Sequence, residues 1–349
     1  MNMIKIGDFK IENNNKTFIV AELSGNHNHD FDLAIKTVKA AKDAGADALK
    51  LQTFTPDTIT IDCNNEYFTI SGGTFLDGRN LYDLYKELNT PWEWHQKIKE
   101  YAEELGLIFF STPFDFSAVD FLEKLNVPCY KIASFEITDI PLIEYAASKG
   151  KPMIISNGVA NEDDLRLAIE ACRNVGNNQI IILKCTSNYP AKVEEANLLT
   201  ISDIKTKFGV EAGLSDHSMG DIVAITSVAL GARVVEKHFI IDRKLGGVDS
   251  GFSMEPHEFR KMVDSIREVE KALGKVTYEL IDKAKVQKKY ARSLFVVKDI
   301  KKGEVLTLEN VRSIRPGNGL HPKFLKNIIG KNVNKNLTFG TPMSLEFID

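Results

Sequence analysis

No two of the four cysteines, Cys63, Cys129, Cys172 and Cys185, stand at CxxC spacing, so paired-cysteine chemistry is not expected. Cys129 and Cys185 lie inside apolar runs and read as buried thiols, which suits a reducing compartment, the cytoplasm by default. No stretch approaches the roughly 20 uninterrupted apolar residues that a membrane-crossing helix needs. Residues 1–10 carry charges and no apolar segment, so a signal peptide is not expected. The net charge is −4, which gives no basic field for nucleic acid. Lysines do gather in residues 283–289 and 323–335, but they are scattered, as on a solvated face. Neither GxGxxG nor GxxxxGK[ST] occurs in a strand-to-helix setting, so a nucleotide-type phosphate cradle has no support.

An apolar fraction of 43% and a charged fraction of 26% describe a globular chain. Its 349 residues suit a barrel of about 250 residues and a small module. Eight short apolar runs recur: residues 17–23 (TFIVAEL), 48–54 (ALKLQTF), 107–112 (LIFFST), 129–134 (CYKIAS), 152–157 (PMIISN), 180–186 (IIILKCT), 211–216 (EAGLSD) and 233–239 (RVVEKHF). Segments with helical spacing separate them, near 31–44, 91–105, 117–125, 140–148, 163–175 and 198–207, with a last one at 255–273. Strands apolar on both faces that alternate with helices predict a parallel sheet. Eight of them predict an α/β fold of the closed (β/α)8 TIM-barrel type, with an open doubly wound sheet as the alternative. Residues 55–90 are long for a loop, and their aromatic content predicts an ordered lid. The pattern changes after about Val276. We expect a barrel domain over 1–280, a polar linker over 281–290 and a small β-rich domain over 291–349, with strand-like pieces at 293–297 and 342–347. A domain of that size is marginal alone and is expected to lean on the barrel or on another subunit.

Chemistry in such barrels sits at the carboxyl ends of the strands. Those ends carry Glu22, Lys50 with Gln52, Ser111 with Thr112, Lys131 with Ser134 and Glu136, Ser156, Lys184 with Ser187, Ser215 with His217, and Glu236 with His238. His217 and His238 close two successive strands joined by one helix, so both imidazoles reach one rim. With Asp249 nearby they suit a borderline divalent cation with open positions. Lysines closing apolar strands call for anions. Lys50 and Lys131, with the hydroxyls of Thr112, Ser134, Ser156, Ser187 and Ser215, would pocket a small phosphate or carboxylate. Pairing with Glu22, Glu136 and Glu236 as structural ion pairs is the alternative. His27 and His29 read as hydrogen-bonding or substrate-contacting loop residues rather than ligands. His95, His257 and His321 show no partner pattern and are expected at the surface, while Trp92 and Trp94 are expected to pack the helix start under the lid.

Several stretches match, in order, the sialic acid synthase family: AELSGNHNHD (21–30), DAGADALKLQTF (43–54), FFSTPFD (109–115), YKIASFEITD (130–139), GKPMIISNG (150–158), CTSNYP (185–190), GLSDHSMG (213–220), ALGARVVEKHF (229–239) and RPGNGL (315–320). The chain resembles that family over essentially its whole length. Residues 73–95 and 246–256 look most like its pseudaminic acid synthases. The resemblance implies a TIM barrel followed by an antifreeze-like (SAF) domain, in a domain-swapped homodimer. It implies condensation of phosphoenolpyruvate with an open-chain acetamido sugar, assisted by Mn²⁺, with Mg²⁺ or Co²⁺ as alternatives. By the same resemblance His217 and His238 hold the metal, while Lys50, Lys131 and Thr112 hold the phosphoenolpyruvate carboxylate. Ser134, Ser156, Ser187 and Ser215 hold its phosphate, and Glu22 and Asp249 take sugar hydroxyls or metal-bound water. Glu136 serves acid–base steps, and Arg315 reaches the sugar acetamido group across the dimer. Lys184 stands where many relatives have His, and Asn157 where many have Thr. Two rival readings are a synthase for neuraminic or legionaminic acid and a non-catalytic barrel that binds a sugar or phosphate.

Overall fold

Ile4, Ile6 and Ile11 are buried at alternate positions of a hairpin, β1 (Ile4–Ile6) and β2 (Phe9–Ile11), turned at Gly7. This hairpin was not expected. It is a finding of the computed structural model, which describes residues 3–12, 16–71 and 76–349. Phe9 packs on Phe18, with ring centroids 4.8 Å apart, and Gly7 faces Ile108, so the hairpin covers the amino-terminal mouth of the barrel.

The eight expected strands all form, as β3 (Phe18–Glu22), β4 (Ala48–Thr53), β5 (Ile108–Pro113), β6 (Tyr130–Ile132), β7 (Met153–Ser156), β8 (Ile180–Cys185), β9 (Glu211–Asp216) and β10 (Val234–His238). They pair in parallel and in sequence order, and β10 returns to β3, closing the barrel. Isoleucine, valine and leucine dominate them because helices cover the outer face while side chains fill the interior. The helices that cover the barrel turn apolar stripes inward. The last of them, Pro256–Leu273, buries Phe259, Met262, Val263 and Ile266, spaced three, four and seven residues apart as one helix face requires. Each such side chain contributes about 1.5–3 kcal/mol on burial. The first helix, Phe31–Asp43, is started by the Asp30 carboxylate accepting from the Leu33 amide. It stops at Gly45, whose φ of +92° suits glycine and where a Cβ would stand 3.1 Å from Val263 Cγ1.

The excursion between β4 and β5 is ordered where described, with helices at Pro56–Ile59 and Leu81–Leu88. Residues 73–75 of the stretch that resembles pseudaminic acid synthases lie outside the described residues. The expected helix at 91–105 begins as a 3-10 turn, Trp92–Trp94, and continues as His95–Glu104. Trp92 donates to the Phe54 carbonyl at 3.1 Å and packs on Phe121, which anchors that start. No helix among the described residues is long and apolar enough to cross a membrane.

The chain divides into two compact units, Met1–Gly274 and Lys275–Asp349. In the second, β11 (Ser293–Val296) pairs antiparallel with β12 (Val311–Ile314) over a small core of Leu294, Val296, Ile300, Leu306, Val311, Ile328 and Val333. The stretch read as a polar linker is helical over Asp282–Gln287. Residues 342–347, expected as strand, make a single bridge from Pro342 to Phe295 and then turn into a 3-10 helix, Leu345–Phe347. The Ser344 side chain accepts from the Glu346 amide and starts that turn, so a local cap overrides the apolar pattern.

Candidate active site

Parallel strands end on one rim, and register decides which of their side chains face in. His238 lies opposite Glu22, and Glu22 opposite Lys50. Glu236 lies opposite Ser215, and Cys185 likewise opposite Ser215. Lys50 Nζ sits 2.7 Å from Glu22 and 3.5 Å from Glu236, and donates to Thr112 Oγ1 at 3.3 Å. Lys131 Nζ donates to Ser156 Oγ at 2.7 Å and to the Ile132 carbonyl at 3.1 Å, with Glu236 at 3.9 Å. Ser215 donates to Glu236 Oε1 at 3.2 Å, while Glu236 Oε2 is buried without a hydrogen bond. Ion pairing, the alternative reading of the lysines, is therefore present through Glu22 and Glu236. Glu236 links both ammonium groups, and hydroxyls occupy their remaining directions.

Burial sets the charge states here. It works against the Lys50 ammonium, but Glu22 and Glu236 together outweigh it and raise the pKa. At Lys131 burial prevails over Glu236 and lowers it. Burial also lifts Glu22, against the pull of Lys50. Glu236 runs the other way: burial opposes its charge, yet Lys131, Lys50 and His217 keep its pKa below the ordinary value. Glu136, on the 3-10 turn Phe135–Thr138, is pushed by burial to about 7, and its Oε2 has no hydrogen-bond partner. A carboxyl poised there suits proton transfer near neutrality.

The imidazoles of His217 and His238 have ring centroids 5.3 Å apart. His217 Nδ1 is 3.0 Å from the Thr186 carbonyl, which only accepts, so Nδ1 carries a proton. Burial opposes a second one, but Cys185 and that carbonyl raise the ring's pKa, and Nε2 becomes a metal donor once it gives up its proton. Burial, then the charges of His217 and Lys50, push His238 well below its ordinary pKa and keep it neutral. Its Nδ1 is buried without a hydrogen bond, with Asp249 Oδ2 at 3.9 Å. No group of three or more His, Cys, Asp or Glu converges on a metal position among the described residues. Two imidazole nitrogens, one of them orphaned, and a carboxylate at the edge fit a borderline divalent ion whose other positions stay open to substrate and water.

Other expected residues fall where the strands put them. Asp249 accepts from Ser24, and Gln52 bridges Glu22 at 3.1 Å and Ser24 at 3.0 Å. Ser134 accepts from the Gly158 amide at 3.1 Å and donates to Cys185 Sγ at 3.3 Å. A Cβ on Gly158 would stand 2.0 Å from Ser187 Oγ and 2.7 Å from Ser134 Oγ, so these hydroxyls close round the glycine. Arg315 follows β12 in the second unit and is exposed there.

Some assignments change. His95, expected at the surface, is fully buried, its Nε2 2.9 Å from Thr53 Oγ1 and its ring against Phe121. The 3-10 turn ahead of it rotates the ring toward the barrel. His27 bonds Thr90 at 3.0 Å, and burial, then His29 and His95, lower its pKa to about 4. His29 donates to the Lys86 carbonyl at 2.9 Å. Both histidines hold the loop to the lid helix. Lys184 lies opposite Leu214 and donates to the Cys185 carbonyl at 2.7 Å. Asn157 accepts from the Cys185 amide at 3.0 Å. Sequence reasoning missed Ser24, Gly158, Cys185, Tyr189 and Phe252 as site residues. Cys185 Sγ is 3.8 Å from His217, and Tyr189 and Phe252 wall the two imidazoles at 4.4–6.2 Å between centroids. Four of the five lie within matched stretches (SGN, SNG and CTSNYP), and Phe252 lies in GFSMEP; their side-chain directions were the missing information.

Comparison with known proteins follows the same lines. Residues 37–278 match the NeuB family, and residues 291–348 match the SAF domain. The chain is 46% identical over 337 residues to the pseudaminic acid synthase of Campylobacter jejuni subsp. jejuni, covering 97% of each. It is 47% identical over 332 residues to the pseudaminic acid synthase of Helicobacter pylori, covering 95% of this chain and 97% of that one. An N,N'-diacetyllegionaminic acid synthase from Legionella pneumophila is 36% identical over 351 residues, 99% of this chain and 98% of the other. Among solved structures, an N-acetylneuraminic acid synthetase from Leptospira borgpetersenii in complex with citrate superposes with a TM-score of 0.73 at 32% identity, over 82% of this chain and 95% of that one.

Proposed function

The chain belongs to the NeuB family, and from that premise we propose that it is a phosphoenolpyruvate-dependent synthase that makes pseudaminic acid. Its substrates are phosphoenolpyruvate and 2,4-diacetamido-2,4,6-trideoxy-L-altrose. The observation that carries this reading is the convergence of Lys50, Lys131, Glu236, His217 and His238 on one barrel mouth, with hydroxyls between them. A two-anion substrate and an aldehyde need such a mouth together.

Lys50, Thr112 and Lys131 hold the phosphoenolpyruvate carboxylate, and Ser134, Ser156, Ser187 and Ser215 surround its phosphate. His217 and His238 hold a divalent ion, Mn²⁺ first among candidates, which when bound supplies Lewis acidity to the sugar aldehyde. Glu22 and Asp249 orient sugar hydroxyls beside it. Held this way, the enol carbon adds to the aldehyde carbon without a bimolecular search. Water then adds to the phosphate-bearing carbon and gives its proton to Glu136, whose carboxyl is ionised in about half the molecules at pH 7. The C–O bond breaks and phosphate leaves with the bridging oxygen. The hydroxyl left on that carbon loses its proton as the ketone forms, which balances the proton taken up by the former aldehyde oxygen on becoming a hydroxyl. The same reading carries a cytoplasmic homodimer in which the SAF domain of one copy supplies Arg315 to the barrel of the other.

An activity panel tests it. Phosphate release is measured with the altrose-, legionaminate- and neuraminate-type acetamido sugars side by side, and the product is identified by mass and NMR. Turnover confined to the altrose substrate, with 18O from the bridging position appearing in phosphate, is expected. Preference for another sugar overturns the substrate assignment, and label retained in the sugar acid overturns the route.

A further inference from the structure

Directly outside the two imidazoles lies an ion pair that the reaction does not use. Inward-facing residues alternate along a strand, so Ser215, Glu236 and His238 face the interior while Asp216 and Lys237 face the outer wall. On that wall β9 and β10 present Leu214 opposite Val235, then Asp216 opposite Lys237. An apolar rung is followed, at the last position before the histidines, by two charges. Their side chains are 1–2% exposed, and Lys237 Nζ is 2.6 Å from Asp216 Oδ2. Nothing in the packing of a barrel wall calls for charge there, and desolvating both groups costs several kcal/mol per ion before their attraction is counted.

The rest of the bonding shows what the pair encloses. Lys237 also donates to the Ser218 carbonyl at 2.7 Å. Asp216 Oδ1 accepts from the Ser218 amide at 2.9 Å and from its hydroxyl at 2.7 Å. The residues on both sides of His217 are therefore tied to Lys237, which is itself the neighbour of His238. We propose that the Asp216–Lys237 pair is a positioning clamp that sets the separation and direction of the His217 and His238 imidazoles and so the affinity of their metal site. The inference rests on the assignment of those imidazoles as metal ligands. A buried ion pair gives little net stability relative to well-packed apolar residues, but it fixes register, and a slip of either strand by one residue would turn its histidine outward.

Mn²⁺ binding to the full-length chain without substrates, read from the EPR signal of the free ion, tests the clamp beside thermal melts. Asp216→Leu with Lys237→Met replaces the pair by apolar side chains and leaves no buried charge unpaired. The double variant is expected to melt within a few degrees of the wild type while Mn²⁺ affinity falls about 10- to 100-fold. Ser218→Ala, a milder change to the same turn, is expected to weaken Mn²⁺ several-fold and serves if the double variant does not fold. Wild-type Mn²⁺ affinity in either folded variant overturns the clamp. His238→Ala separates the two ideas. If it alone loses Mn²⁺, the ligand assignment stands and the clamp falls; if it binds as the wild type does, both fall.

Discussion

Replacing Glu136 by Gln bears on both catalysis and stability, and the two effects have opposite signs. Burial moves this carboxyl from 4.5 to about 7, against the pull of a backbone hydrogen bond and then of Lys131. The folded state therefore prefers the protonated form. The resulting penalty is absent below about pH 4.5, grows as pH rises, and is complete above about pH 7. At about 1.4 kcal/mol per pH unit, 7 − 4.5 gives an upper bound of about 3 kcal/mol, and partial exposure of the side chain reduces it to about 1–2. Glu136→Gln should then stabilise the protein by that amount at pH 8 and leave it unchanged near pH 4.5. Catalysis runs the other way. Between pH 6 and pH 8 the ionised fraction rises from about a tenth to about nine tenths, so kcat should rise about tenfold in the wild type. In the glutamine variant that rise should vanish and kcat should fall by about 10²–10⁴. Phosphate release across pH 5.5–8.5, with thermal melts at both ends, reads both quantities. A variant that keeps the tenfold rise, or melts like the wild type at pH 8, would refute the assignment of Glu136 as the buried base.

Two further outcomes follow from the phosphate side of the mouth. Gly158→Ala puts a methyl group 2.0 Å from Ser187 Oγ and 2.7 Å from Ser134 Oγ, so both hydroxyls must move; KM for phosphoenolpyruvate should rise more than tenfold while the melting temperature holds, and an unchanged KM would separate these serines from the phosphate. Lys131→Met removes a charge-assisted partner worth about 1.5–3 kcal/mol, equivalent to about 10- to 150-fold in KM for phosphoenolpyruvate, with KM for the sugar nearly constant; equal rises in both would mean that Lys131 acts on the fold rather than on the anion.

The barrel was legible because its strands are apolar on both faces and end on polar residues, a pattern that survives without any knowledge of neighbours. The hairpin β1–β2 was not, since three-residue strands give too little alternation to count. The strand expected at 342–347 failed for a related reason: Ser344 offers its backbone a turn, and no propensity sum over six residues records that choice. Within the candidate site, residue type and strand position sufficed to bring Lys50, Lys131, His217 and His238 to one mouth of the barrel. They did not suffice for Cys185 and Lys184, adjacent residues of which one contacts His217 and the other bonds back to the strand's own carbonyl. Nor could any spacing join Ser24 to Asp249 across 225 positions.

The lysines show why a binary question put to a sequence can be the wrong question. Ion pairing and anion binding were opposed as alternatives, yet an ammonium that must receive a substrate anion has to be held still, desolvated and charged before the anion arrives. Carboxylates do this, provided they satisfy only part of each lysine. Glu236 reaches Lys50 at 3.5 Å and Lys131 at 3.9 Å, distances longer than the 2.7 Å of Glu22 to Lys50, so it holds both without saturating either. The hydroxyls of Thr112 and Ser156 complete the holding on the far side. At Lys131 an arriving carboxylate or phosphate would compete with neutral oxygens and a shared carboxylate, whereas at Lys50 it would also meet Glu22 at 2.7 Å. Lys131 is therefore the buried lysine that can be both structurally paired and free to bind.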